Sequence, residues 1–121
     1  MAIDPQGRDL KDFLEQDADS PVVMLNLLRF ASGARGAYED YLRHFRPHAE
    51  ARGAEIVYYG QGDTALVAED GQAWDAVLLV RYPSGRSFSD MVRDPAYQAG
   101  AHLRSDSLVE AVLQPTVETT F

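Results

Sequence analysis

Asn26 is the one uncharged polar residue in the run Val22-Val23-Met24-Leu25-Asn26-Leu27-Leu28-Arg29-Phe30. A buried amide left unpaired costs about 1 to 3 kcal/mol, so something must satisfy it. Either neighbouring backbone or water does so, or Asn26 forms a pocket wall and presents its amide to a ligand carbonyl or hydroxyl. His102 is the candidate general base, since it shares a helical region with Tyr97 and Arg104 and neutral imidazole takes a proton near pH 7. The plainer alternative for it is a satisfied or solvent-facing histidine. Arg29 and Asp75 are expected to meet across two strands, either as a cross-strand ion pair or as an anchor for an anionic substrate. Arg81 is read as a surface or dimer-contact residue. Tyr38, Tyr41, Tyr58 and Trp74 are core aromatics by default, yet their polar tips can line a pocket mouth. His44 and His48 stand four apart, a spacing that can serve a metal, but no acidic residue completes a metalloprotease motif and the pair is expected to face solvent. No metal site is assigned.

The elements that must position these residues follow from periodicity. Leu10, Phe13 and Leu14 make a narrow apolar helical stripe inside an appendage covering residues 1–20. The remaining residues, 21–121, are read as one domain. Its first strand is Val22 to Phe30, too short and too continuously apolar for a helix. Tyr38, Tyr41, Leu42, Phe45 and Ala49 then fall at helical spacing over residues 37–52, with Pro47 expected to kink the helix and Gly53 to cap it. Residues 54–68 suggest a long strand bent at Gly60-Gln61-Gly62, followed by a turn at Glu69-Asp70-Gly71-Gln72. Trp74 to Tyr82 forms another strand apolar on both faces. Ser84 caps a helix carrying Phe88, Met91 and Val92, and Asp94-Pro95 opens a further helical segment to about Leu103. A last strand runs from Leu108 to Gln114 and stops at Pro115.

This order is βαββαβ, the split unit of ferredoxin-like α+β folds, an antiparallel four-stranded sheet with two helices on one face, plus the N-terminal helix. Because the first and third strands are apolar on both faces, the face away from the helices needs a cover, and a homodimer packed sheet to sheet is the economical one.

Composition excludes several classes. The 121 residues carry 11 basic and 19 acidic side chains, a net charge of -8, which disfavours nucleic acid and anionic membrane as partners. Without cysteine there are no disulfides, thiolate nucleophiles or zinc-thiolate sites. No secretory pattern opens the chain and no apolar stretch approaches the roughly 20 residues of a membrane span, so a cytoplasmic protein is expected. Gly60-Gln61-Gly62 precedes no helix and is not a phosphate loop, and no serine, histidine and acid trio has recognisable context.

The stretches Pro21 to Phe30, Trp74 to Ser84, and Phe88 through Asp94-Pro95-Ala96-Tyr97-Gln98 together resemble the domain of unknown function 1330 family of the dimeric α/β-barrel superfamily. The resemblance implies a ferredoxin-like protomer dimerised through its sheets. The superfamily's members include cofactor-independent monooxygenases, haem-degrading enzymes, dye-decolourising peroxidases, muconolactone isomerases and ligand-sensing modules, so the resemblance implies no single activity. Aligned on Phe88, the haem-ligating histidine of the haem-degrading members falls on Ala101 and their nearby tryptophan on Met91. His102 is one residue out, a turn of about 100° on a helix. No cofactor is expected.

The resulting expectation is a homodimer binding a small organic molecule between sheet and helices, beside Asn26, Trp74, Tyr97 and His102. In a cofactor-independent oxygenase or isomerase, Asn26 would orient the substrate, His102 would move a proton, and Arg29 with Asp75 would hold negative charge. The alternative is a non-catalytic ligand-binding or dimerisation domain.

Overall fold

The computed structural model describes residues 3–5 and 7–121; residues 1, 2 and 6 of the expected N-terminal appendage lie outside the described residues. Helix α1 (Gly7–Gln16) is followed by β1 (Val22–Phe30), α2 (Arg35–Ala51), β2 (Glu55–Gln61) and β3 (Ala76–Tyr82). Three short helices, α3 (Gly85–Arg93), α4 (Pro95–Gln98) and α5 (His102–Ser107), then lead to β4 (Leu108–Thr116). The strands form one antiparallel sheet in the order β2-β3-β1-β4, the ferredoxin-like α+β arrangement expected from the element order.

Alternation along the strands sorts the two faces. On β1 the even positions Val22, Met24, Asn26 and Leu28 are buried beneath the helices, as are Ala76, Leu78, Val80 and Tyr82 on β3. Tyr38, Tyr41, Phe45 and Ala49 of α2, with Phe88 and Met91 of α3, meet them from above. The odd residues Val23, Leu25, Leu27, Val77 and Leu79 point the other way, with Val112 of β4 opposite Leu27.

Local chemistry ends the helices where the sequence indicates. The Ser84 hydroxyl accepts the Ser87 N–H at 3.1 Å, and the Asp94 carboxylate accepts from the N–H of Ala96 at 2.9 Å ahead of Pro95 in the first turn of α4. Gly53 adopts φ +79 just past α2 and donates to the Glu50 carbonyl, as a left-handed cap does. Pro47 lies inside α2 without ending it.

The strand expected from Trp74 begins at Ala76, the helical segment expected from Pro95 to about Leu103 is the two helices α4 and α5, and three further features of the sheet differ from expectation. The expected strand over 54–68 ends at Gln61; the Gly62 N–H still bonds the Asp75 carbonyl, only glycine fits there beside the Trp74 carbonyl, and residues 62–75 form a loop instead. The bulge lies at Val57, between Ile56 and Tyr58, rather than at Gly60-Gln61-Gly62. Strand β4 continues through Pro115, which an edge strand tolerates because the missing N–H need not serve the ladder.

The N-terminal region packs on the helical layer. Phe13 meets Phe88 edge-on, with centroids 6.2 Å apart, and a side chain at Gly85 would strike the Phe13 ring at 2.8 Å. The Arg86 N–H bonds the Ala18 carbonyl. Among the described residues no helix is long and apolar enough to cross a membrane.

Candidate functional site

Sheet and helices do not close completely on each other. A cavity of about 420 Å³ lies between them, floored by Met24, Asn26, Leu78 and Val80 and roofed by α2, α3 and the α4–α5 region. Such a volume is within the usual range of small-molecule sites.

Asn26 reaches the cavity because its even position on β1 turns it toward the helices, between Leu78 on β3 and Leu113 on β4. Its Nδ2 donates to the carbonyls of Leu78 at 3.3 Å and Met24 at 3.4 Å, both long bonds, and among the described residues no donor reaches Oδ1. The sheet therefore holds the amide's orientation and leaves its acceptor unused.

Tyrosine hydroxyls supply the rest of the polar lining. Tyr41 and Tyr97 share a hydrogen bond of 2.9 Å, while among the described residues the hydroxyls of Tyr38 and Tyr82 have none. Burial pushes all four phenols above their ordinary pKa, and Tyr38, Tyr41 and Tyr82 rise further through the neighbouring tyrosines. Opposing this, the positive charge of Arg104 lowers Tyr38, Tyr41 and Tyr97, and the Tyr41 hydroxyl bonded to Tyr97 lowers the latter. All four stay protonated near neutral pH.

Arg104, on α5, is the charged group of the interior. It is 5% exposed and lines the cavity. Its Nη1 donates to the Ile3 carbonyl at 2.6 Å and to the Asp4 carboxylate at 2.9 Å, while Nη2 is buried with no partner among the described residues. Asp4 and Pro5 complete that part of the wall.

His102 and Tyr97 both border the cavity, Tyr97 buried inside it and His102 solvent-exposed at its edge. Asn26, Tyr97 and His102 are therefore brought to one cavity. Trp74, Arg29 and Asp75 do not line it.

The expected Arg29–Asp75 pair does not form. Arg29 occupies an odd position and lies across the outer face, where its Nε donates to Glu110 at 2.7 Å. The same guanidinium donates to the carbonyls of Ala73 and of Gly71, the latter at 2.9 Å, and stacks over Trp74 at 4.5 Å. The Asp75 carboxylate instead accepts the Phe30 N–H at 3.0 Å. The two residues do lie beside each other where β1 and β3 meet, yet Glu110, opposite Arg29 on β4, and the loop carbonyls occupy the guanidinium, while Asp75, just before β3, takes the Phe30 N–H; together they pin the 62–75 loop.

The two histidines of α2 also differ from expectation. His44 and His48 are half-buried rather than facing solvent, their rings 4.8 Å apart, and His44 Nε2 bonds the Tyr97 carbonyl at 2.8 Å. A side chain at Gly100 would meet the His44 ring at 2.5 Å, so this glycine lets α4 approach α2 and fixes Tyr97. No cluster of three metal-ligating groups exists among the described residues.

Sequence reading missed Arg104 and Tyr82 as site residues. No local pattern marked Arg104, because it lies on α5, parted from Tyr97 on α4 by the turn at residues 99–101.

An antiparallel sheet with helices on one face and a tyrosine-rich cavity between the layers defines a small ferredoxin-like α+β protein. The chain belongs to the family described as Domain of unknown function (DUF1330), whose model matches residues 27–113. The RPA0582 protein of unknown function from Rhodopseudomonas palustris is 29% identical, with 98% of this chain and 97% of that chain covered and a TM-score of 0.87. An uncharacterised NIPSNAP-like domain protein from Burkholderia xenovorans shares the fold at 11% identity, covering 85% and 89% of the two chains with a TM-score of 0.61. Rv0793 from Mycobacterium tuberculosis does so at 17% identity, covering 84% and 98% with a TM-score of 0.59. No curated protein matches the chain.

Proposed function

We propose that the protein binds a small organic molecule in the cavity between sheet and helices. The observation that carries this reading is the roughly 420 Å³ cavity itself, whose apolar walls hold a few fixed polar groups, Asn26 and the four tyrosines among them. Asn26 offers an acceptor and the hydroxyls offer donors, so the ligand combines an apolar body with oxygen or nitrogen functions.

In the catalytic form of this reading, an isomerase moves a proton between two atoms of a bound substrate, His102 taking and returning it while Asn26 orients the substrate. In the non-catalytic form the same groups only recognise the molecule. The interior favours the second: its phenols are held protonated by burial, Asn26 does not titrate, and His102 stands at the edge rather than in the depth.

Thermal unfolding against a panel of small aromatic and acyl molecules tests the reading, with Ala101→Phe as the blocked control, since Ala101 lines the cavity from the surface side. Stabilisation of the native protein and not of Ala101→Phe is expected. Equal shifts for both would remove the cavity as the site.

The outer face of the sheet supports a homodimer packed sheet to sheet, because Val23, Leu25, Leu27, Val77, Leu79 and Val112 form an apolar surface turned away from the helices. Sedimentation of the native chain as a dimer and of Leu79→Arg as a monomer is expected; a native monomer at micromolar concentration would exclude it.

A further inference from the structure

We infer that the molecule bound in this cavity is a carboxylic acid, whose carboxylate takes the Arg104 guanidinium in place of Asp4 while the strap Ile3–Pro5 gives way. This rests on the proposed binding reading and specifies its ligand class.

Arg104 carries the argument. Burying a guanidinium is expensive unless its donors are satisfied, and here it is 5% exposed with one –NH2 group unpartnered among the described residues. A clamp serving only to hold the N-terminus would not need a buried charge with spare donors. The groups it does hold come from one short segment: the Ile3 carbonyl and a single oxygen of Asp4, both on Nη1. Asp4 is thus already a carboxylate on this guanidinium, bound through one oxygen only, with a side chain 54% exposed. A ligand carboxylate that engages Nη1 and Nη2 together gains the bidentate geometry that Asp4 lacks.

The surroundings suit the rest of such a molecule. Asp4 and Pro5 border the cavity beside Arg104, so their displacement opens the guanidinium to it without disturbing the sheet. Tyr41 and Tyr97 lie within the electrostatic reach of Arg104 and supply hydroxyl donors nearby. Met24, Leu78, Val80 and Phe88 provide the apolar walls for the body of the acid. Asp4 is the sole carboxylate lining the cavity among the described residues, and it leaves when the ligand arrives.

The experiment measures binding of a panel of acids, from butyrate through 3-phenylpropionate to 2-naphthoate, each against its own amide, by calorimetry on the full chain. The expected result is a preference for the acid of at least about tenfold, as a charge-assisted pair replaced by a neutral one implies. Arg104→Gln is expected to abolish that preference. Because Arg104→Gln leaves a buried site altered and risks the fold, Asp4→Asn is the second variant: it removes the competing carboxylate from a half-exposed position and should tighten acid binding roughly two- to fivefold, the worth of a surface ion pair. Amides that bind as tightly as their acids would overturn the inference and leave the binding reading standing. Binding of neither acids nor amides would overturn both. Unchanged or weaker acid binding in Asp4→Asn would overturn the displacement of the strap.

Discussion

Replacing Asn26 by leucine separates a residue kept for recognition from one kept for the fold. The Asn26 side chain makes two hydrogen bonds, at 3.3 and 3.4 Å, both longer than the usual 2.9 to 3.0 Å. A well-formed neutral bond contributes about 0.5 to 1.5 kcal/mol net, so these two together are worth on the order of 1 kcal/mol. The carbonyls they serve belong to residues of the β1–β3 ladder. Against that loss, leucine adds apolar contact with Leu78 and Leu113 on the same face, worth about 1 to 2 kcal/mol. Asn26→Leu should therefore keep or slightly gain stability in urea, by about 0 to 1 kcal/mol with an unchanged m-value, while binding of any polar ligand in the cavity falls at least about tenfold. A loss of stability above about 1 kcal/mol would refute the reasoning, because the amide would then be a structural tie.

Alanine at Arg29 should release the 62–75 loop, lowering stability by about 1 to 2 kcal/mol and speeding proteolytic nicking there, with cavity binding unchanged; intact loop protection would contradict the pinning by Gly71, Ala73 and Glu110. High pH should unfold the protein through its buried phenols. Tyr38, Tyr41, Tyr82 and Tyr97 have folded pKa values raised above the unfolded value near 10, so their contribution is complete below pH 10 and is lost as pH rises beyond it, by up to about 1.4 kcal/mol per pH unit for each phenol. Urea midpoints between pH 9 and 11, read with phenolate absorbance, check this; phenols ionising at pH 10 in the folded protein would contradict it. Gly100→Ala should push the His44 ring and shift Tyr97, weakening the Tyr41–Tyr97 hydrogen bond, visible as a lower phenol pKa for Tyr41, whose bond to Tyr97 raises it. Gly53→Ala should cost about 1 kcal/mol in urea unfolding, since its φ of +79 suits glycine and a Cβ there approaches Pro83 at 3.2 Å.

Elements whose formation depends on neighbours in the chain were legible in the sequence. The continuous apolar run around Asn26, the 3.6-residue spacing of Tyr38, Tyr41 and Phe45, and the Ser84 and Asp94 caps act over one or two turns, so their order alone led to the βαββαβ sheet. The placement of Asn26 beneath the helices was also within reach, since alternation puts it on the face of Met24 and Leu28. Tertiary structure decided which polar groups meet. Arg29 is one position from the buried face, and that parity turns it away from the cavity; Glu110, opposite it on β4, and the loop carbonyls hold it there, while the Asp75 carboxylate takes the Phe30 N–H. The strand after α2 stops at Gln61, and only glycine fits at position 62 because the Trp74 carbonyl, twelve residues away, leaves no room for a side chain. Arg104 becomes the cavity's charge through Ile3 and Asp4, about a hundred residues earlier in the chain, and no local pattern encodes so distant a contact. Short-range sterics and hydrogen bonding write the elements into the sequence; the closure of the chain on itself selects the residues that face the cavity.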